Sequence, residues 1–175
     1  MINIQANIPT SSPSWANPIE MLYACHGRVK NFCRQLRILP AYLAQNGVNQ
    51  AVKNDVQQIL NYFNIAAPLH HDDEEKDFFP ALVKVVPQAQ ANIDELERQH
   101  IKLHQNWTAL SAQLTALIQD ERTEIEQALI EQFIAGYDVH IALEEPLFEM
   151  GQQSVPTEQL QAMGEIMAAR RKVKS

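Results

Sequence analysis

The sequence predicts an all-α protein, an antiparallel up-down-up-down four-helix bundle with a short additional C-terminal helix. Apolar residues recur every three or four positions in four long segments, which is the spacing of one helix face. The connections between these segments are short, as they are between antiparallel neighbours in a bundle. The sequence also lacks the alternating, β-branched runs that are typical of strands.

The first helix follows an arm, residues 1–16, which is rich in Pro, Ser, Thr and Asn and is expected to be irregular. Asn17 as the N-cap and Pro18 at the first helical position predict where the helix begins. We expect a kink at Pro40 and an end near Gly47. The stripe of this helix consists of Ile19, Leu22, His26, Val29, Cys33 and Leu36.

The second and third helices have longer stripes. Pro68 should bend the second helix, and Pro80 should end or restart it. The stripe of the second helix consists of Val52, Val56, Ile59, Phe63, Ala66, His70 and Glu74. The stripe of the third helix is the most regular and consists of Ile93, Leu96, His100, Leu103, Trp107, Leu110, Leu114 and Leu117.

The fourth helix is followed by a shorter one, from about Pro156 to Lys172. Met163 and Met167 share one side of this last helix, and we expect that side to pack on the bundle, with a homodimer contact as the alternative. The basic end around Arg170 suits the negative end of a helix dipole. The stripe of the fourth helix consists of Ile125, Leu129, Phe133, Tyr137, His140, Glu144 and Phe148.

Composition narrows the classes of partner. The 175 residues include 21 Asp and Glu against 14 Lys and Arg, which argues against nucleic acid as a partner. Cys25 and Cys33 are eight positions apart in one predicted helix, too far to form a disulfide. The sequence has neither an apolar run of about 18 residues nor a signal peptide, so we expect no membrane span and a cytoplasmic location.

Histidines and glutamates recur on the four stripes at helical spacing. Residues four apart on a helix differ by about 40° in direction and about 6 Å in height, so both side chains can face one point. His104 follows a stripe histidine by four residues. The stripe positions are His26, His70, Glu74, His100, His140 and Glu144.

A metal centre explains this set better than chance does. Any one of these histidines could be an ordinary core or surface residue, but a buried carboxylate without a partner is costly, and buried ions normally pair or bind metals. Imidazole with carboxylate suits iron, and also manganese or zinc. Two carboxylates among five imidazoles indicate two ions, because one zinc takes about four ligands. Asp72, Asp73 and Glu75 point away from the stripe, and we expect them on a solvated face.

Two other kinds of metal protein fit less well. Ferritin-like bundles carry Glu-x-x-His on two helices, whereas Glu97-x-x-His100 is the one such match in this sequence. The His-Glu-x-x-His motif of zinc proteases is absent from the sequence.

With these residues the chain resembles the hemerythrin-like (HHE cation-binding) family. The resemblance spans about residues 17–150, and residues 151–175 would form the additional helix. The motifs that carry it are His26, His70-His71-Asp72-Asp73-Glu74-Glu75 with Phe78-Phe79-Pro80, Leu96-Glu97-Arg98-Gln99-His100 with Trp107, and His140-Ile141-Ala142-Leu143-Glu144-Glu145 with Leu147-Phe148.

The resemblance implies a bundle around two non-haem iron ions. One iron would be held by His100, His104 and His140. The other would be held by His26 and His70, with an open position for O2, NO or a similar ligand. Both would share the carboxylates of Glu74 and Glu144.

The chain departs from the oxygen carriers of that family at the bridging carboxylate of the fourth helix. Carriers place it five residues after the histidine, which is Glu145 here. Regular helical geometry favours Glu144. Pro146 could still cause a π-bulge that turns Glu145 inward.

The expected pocket also departs from that of the carriers. His71 replaces an aromatic residue, and His71 with Glu75 offers a rival register to His70 with Glu74, which alone continues the stripe. Tyr137 brings a phenol where carriers tend to be apolar, whereas Ile141 keeps one apolar wall. We expect the pocket and the support of the ligands to come from His71, Glu145, Tyr137, Ile141 and Trp107.

Three functions are compatible with the resemblance. The favoured one is a protein that binds or senses O2 or NO, which as a sensor would need a separate signalling partner. The second is an oxidase-like or peroxidase-like enzyme in which Tyr137 or His71 moves protons. The third is an iron donor for the repair of iron–sulfur centres.

Overall fold

A computed structural model describes residues 12–173, and this part of the chain contains helices and no strands, which confirms the all-α class. Most of the predicted irregular arm lies outside the described residues. Four long helices are followed by a shorter one. They are α1 (Pro18–Asn46), α2 (from Gln50 to Val85), α3 (Gln90–Ile118), α4 (Gln127–Ser154) and α5 (Thr157–Val173).

The ends of α1 are those that the sequence predicts, but the capping differs. The helix begins at Pro18, yet the side chain of Asn17 makes no capping hydrogen bond. It ends at Asn46, and Gly47 follows with a φ of 66°, a left-handed conformation that glycine adopts without strain. The helix continues through Pro40.

Helical structure continues through both prolines of α2. Pro80 does not end the helix but restarts it, since an α-helical segment begins at Phe79 with Pro80 in its first turn. Two π-helical turns explain how the chain accommodates the prolines. A proline ring clashes with the carbonyl four residues earlier, and the wider π-turn gives that carbonyl room to move away. The first π-turn precedes Pro68 and the second precedes Pro80. The segments of α2 are Gln50–Asn61, Tyr62–Ala66 (π), Ala67–Asp73, Glu74–Phe78 (π) and Phe79–Val85.

Two apolar clusters form the core, and the polar stripe residues lie between them. Cluster A includes Val29, Leu36, Phe63, Leu110 and Phe133. Cluster B includes Leu22, Leu82, Leu96, Phe148 and Met167. Full burial of such a side chain contributes about 1.5–3 kcal/mol. Helices α1 and α3 pass from cluster B to cluster A, whereas α2 and α4 pass from A to B. An up-down-up-down bundle would show this order, and that arrangement stays a prediction.

Helix α5 packs on cluster B through Leu160, Met163 and Met167. Its basic end binds acidic residues of α2: Arg170 and Arg171 both contact Asp73, and Arg170 also contacts Asp77.

Asp73 is fully buried, so the expectation that it lies on a solvated face is wrong. The interpretation of the basic end as a complement to the helix dipole did not include its contact with Asp73. The division of the chain at residues 16 and 150 stays a prediction. Among the described residues, no helix is both long and apolar enough to cross a membrane.

Candidate metal centre

Six stripe residues meet in the layer between the two apolar clusters. All six are buried, and the two glutamates have no exposed surface. They come from four different helices, because each stripe turns one face of its helix toward the core. The six residues are His26 on α1, His70 and Glu74 on α2, His100 on α3, and His140 and Glu144 on α4.

Each glutamate joins imidazoles of two helices. Oε1 of Glu74 lies 2.6 Å from Nε2 of His70, and its Oε2 lies 3.0 Å from Nε2 of His100. Oε2 of Glu144 lies 3.0 Å from Nε2 of His26 and 3.2 Å from Nε2 of His140. The four Nε2 atoms and the two carboxylates therefore converge on one small volume.

Several of these atoms are buried without hydrogen bonds. Within residues 12–173, both carboxylate oxygens of Glu74 and the Nε2 atoms of His70, His100 and His140 have no partner with hydrogen-bond geometry. Native proteins rarely leave buried polar atoms in that state unless an ion or water binds them. The contacts of His70 and His100 with Glu74, and of His140 with Glu144, are short but not aligned as hydrogen bonds, which is the arrangement expected of donors that face a cation. His26 differs, because its Nε2 makes a hydrogen bond with Glu144.

The donors form two overlapping sets that share both glutamates. The ligand atoms of each set lie within 4.8 Å of one another. Two imidazoles and two carboxylates fit a transition-metal ion such as iron, and sharing of the carboxylates fits two ions side by side. One set is His26, His70, Glu74 and Glu144, and the other is Glu74, His100, His140 and Glu144.

The outward-facing nitrogens of three histidines have oxygen partners. Nδ1 of His26 lies 3.2 Å from Oε1 of Glu145, and Nδ1 of His140 lies 3.1 Å from the side-chain oxygen of Gln99. Nδ1 of His100 lies 2.6 Å from Oε1 of Glu75. Metal-binding histidines usually donate their second N–H in this way, which fixes the ring and directs the other nitrogen at the metal.

Sequence reasoning missed two of these partners. Glu75 is exposed, as expected, but it also contacts His100 on α3 across the helix interface. Gln99 was not considered. Its position directly before a stripe histidine gives no indication that it would reach His140 on another helix.

The geometry of helix α4 determines whether Glu144 or Glu145 faces the centre. It continues as an α-helix through Pro146, so the π-bulge that would turn Glu145 inward is not found there. Glu144 is fully buried among the donors, whereas Glu145 is partly exposed and supports His26. The ligand role of Glu144 stays a prediction that this geometry favours.

The structure does not bring His104 to the donors. Its side chain is exposed, although it lies one turn from His100. The space beside His100 is occupied by His71, whose ring stacks on it with centroids 3.9 Å apart. A ring nitrogen of His71 lies within 4.8 Å of those of His100 and His140.

The remaining pocket residues are buried in cluster A. Tyr137 and Ile141 belong to that cluster, and the centroid of the Tyr137 ring lies 6.3 Å from that of His140. Nε1 of Trp107 donates a hydrogen bond of 2.8 Å to the side chain of Asn64.

The imidazoles keep the two carboxylates charged. Burial alone would raise the pKa of Glu74, but the charge and close approach of His70 hold it well below its ordinary value. Burial and the charge of Glu74 raise the pKa of Glu144, yet contacts with His140 and His26 bring it below its ordinary value. Two negative charges in an apolar core would attract cations.

Their surroundings shift the pKa values of two imidazoles, His100 and His71, in opposite directions. Burial opposes a charged His100, but the carboxylates of Glu74 and Glu75 raise its pKa to about 9. Burial, followed by the neighbouring imidazoles, lowers the pKa of His71 well below its ordinary value. His71 is therefore neutral at pH 7, whereas a cation that binds at His100 must displace a proton.

A helical protein with two histidine sets that share two buried glutamates belongs to the class of metal-binding helical proteins. The family model for the hemerythrin HHE cation binding domain matches residues 17–150, so the chain belongs to this family. It is also 64% identical over 166 residues to an uncharacterized protein from Haemophilus influenzae, with 95% of this chain and 96% of that protein covered.

Proposed function

We propose that the protein holds two non-haem iron ions and binds O2, NO or a similar small ligand at an open coordination position. The observation that carries the proposal is the pair of donor sets that share Glu74 and Glu144. Imidazole and carboxylate donors that leave positions open are typical of non-haem iron sites that meet O2. Iron supplies the electrons that bind or reduce such a ligand.

The side chains around the donors have three tasks in this proposal. Glu74 and Glu144 would hold both ions and offset part of their charge. Glu75, Gln99 and Glu145 orient the imidazoles. The proposed frame is an up-down-up-down four-helix bundle, supported by the alternating order in which successive helices pass clusters A and B. These clusters exclude water from both ends of the centre.

Metal analysis tests the iron centre. Protein produced with ample iron and purified without O2 should contain about two irons per chain, and His70→Ala should lower that content. A single zinc per chain, or no metal at all, would refute the proposal. Manganese in both sites would support a two-metal centre but would refute its assignment to iron.

Stopped-flow absorption tests the reaction with O2 and NO. A reversible adduct of the reduced protein supports ligand binding, whereas rapid oxidation with peroxide turnover supports the oxidase-like or peroxidase-like alternative. Tyr137 bears on this choice. Burial, followed by nearby acidic groups, raises the pKa of its phenol well above the ordinary value, so the phenol keeps its proton and is a poor proton acceptor.

A further inference from the structure

We propose that His71 does not bind an ion but donates a hydrogen bond to the small ligand at the centre, and so determines which ligands are retained. The inference rests on the proposed function, because it requires a metal centre with an open position. It concerns a residue that lies outside both four-donor sets but forms, with His100 and His140, a third group whose nitrogens are close enough to hold an ion.

The position of His71 places a free polar atom at the edge of the centre. The centroid of its ring lies 3.9 Å from that of His100 and 6.0 Å from that of His140. Its Nε2 is buried and has no hydrogen-bond partner within the described residues. A buried nitrogen in that state needs a partner, and one beside the donors could find it in a ligand of the metal.

Ring geometry argues against a shared ion. The planes of His71 and His100 are inclined by only 16° and lie one above the other. An imidazole lone pair lies in the plane of its ring, so stacked parallel rings direct their lone pairs side by side rather than at one point. His71 is thus close enough to contact a ligand at the centre but is not oriented to share the ion of His100.

A small cavity of about 60 Å³ is lined by His71, and none of the six stripe donors lines it. This volume is several times the roughly 10–15 Å³ that a cavity needs to hold one water molecule, so it suits a molecule of two or three atoms. Apolar and aromatic side chains form most of its wall, including Phe63, Leu103, Trp107 and Tyr137. His104 is the exposed histidine of this cavity, and His71 is the histidine beside the donors.

A ligand that reached the donors through this cavity would be selected in two ways. Its size excludes large molecules, and its apolar wall offers few hydrogen bonds, so the Nε2–H of His71 favours ligands that accept one. Azide, NO and reduced forms of O2 accept such a bond. A net hydrogen bond of about 0.5–1.5 kcal/mol corresponds to an affinity change of up to about tenfold.

Azide binding to the ferric protein provides the test. His71→Phe keeps a ring that can stack on His100 but removes the nitrogen, and His71→Leu is a second variant in case the larger ring disturbs folding. We expect both to keep two irons per chain and to bind azide about tenfold more weakly, with a shifted azide infrared stretch. His71→Gln, which can donate a hydrogen bond, should recover part of the affinity. Lys102→Ala, at an exposed position of the same helix as His100 that does not line this cavity, is the matched control and should change the affinity less than twofold.

Two results would overturn the inference while the proposed function stands. Unchanged azide affinity and stretch in both His71 variants would show that the nitrogen makes no contact with the ligand. Loss of one iron in both variants, with the unfolding transition retained, would make His71 a metal ligand instead. A wild-type protein without two irons would refute the proposed function itself, and the role of His71 with it.

Discussion

Oε1 of Glu75 lies 2.6 Å from Nδ1 of His100, so the residue that follows a shared glutamate holds the outer side of an imidazole from another helix. The second glutamate pair repeats the relationship, since Glu145 lies 3.2 Å from Nδ1 of His26. In each pair the first carboxylate faces the centre and the second orients a histidine. Each of the two Glu-Glu pairs thus places a proposed metal ligand beside a residue that orients a histidine.

Removal of either supporting carboxylate should weaken metal binding without abolishing it. Glu75→Ala and Glu145→Ala should each lower metal affinity by about 10–100-fold, because the imidazole loses the acceptor that orients it. Competition with a chelator measures the affinity. Glu149→Ala, an exposed position on the same helix as Glu145, is the control. Equal affinity in all three variants would mean that the contacts do not support the donors.

The sequence predicts the inward glutamates but not their supports, for a physical reason. Spacing of four residues places Glu74 and Glu144 on the core face, and the regular turn of α4 keeps that geometry. The same spacing rule directs Glu75 toward solvent. However, Glu75 lies within a π-helical turn, and its carboxylate contacts His100 of α3. Spacing within one helix carries no information about a partner on the next.

Substitution of His100 and of His104, both on α3, should distinguish a proposed metal donor from an exposed residue. His100→Ala should lower the metal content from two ions to one or none, because its Nε2 contacts Glu74 at 3.0 Å. His104→Ala should keep two ions, because its side chain is exposed. Elemental analysis of the two purified variants measures both. Loss of metal in His104→Ala would show that His104 turns inward when the ions bind.

The sequence could not show that His104 lies away from the donors, since a residue four positions after His100 faces nearly the same way. The space beside His100 is taken by a tertiary contact, the stacking of His71 on its ring. The ligand role of His104 stays a prediction that its exposure does not favour. The burial of Asp73 could not be predicted from the sequence for a similar reason. Its partners, Arg170 and Arg171, are almost a hundred residues away and belong to α5.

The contact between α2 and α5 should contribute strongly to stability. Asp73 is fully buried and accepts hydrogen bonds from Arg170 and Arg171. Asp73→Ala leaves two guanidinium groups without that partner, and it should lower the free energy of unfolding by about 3 kcal/mol. Urea denaturation measures the change. Asp72→Ala, the neighbouring position with a surface pair to Lys76, should cost less than about 1 kcal/mol, and a similar loss in both would contradict this role.

The metal-free protein should lose stability as the pH rises above neutrality. The pKa of His100 is about 9 in the folded protein against an ordinary value of 6.5, because burial is outweighed by Glu74 and Glu75. The folded state thus keeps a proton that the unfolded chain releases. This stabilisation is fully present below about pH 6.5 and is lost as the pH rises through 9, by roughly 3 kcal/mol.

Urea unfolding of the metal-free protein at several pH values between 6 and 9.5 measures this loss. His100→Gln should remove part of the dependence. Some should remain, because burial at His70 is outweighed by Glu74 and Cys25 together, which raise the pKa of that imidazole as well. His104→Gln, an exposed histidine on the same helix, should leave the dependence unchanged. A flat profile in the wild type would mean that the carboxylates do not hold protons on these imidazoles.

The same protons should be released when a metal binds at pH 7, since a cation and a proton compete for the same nitrogens.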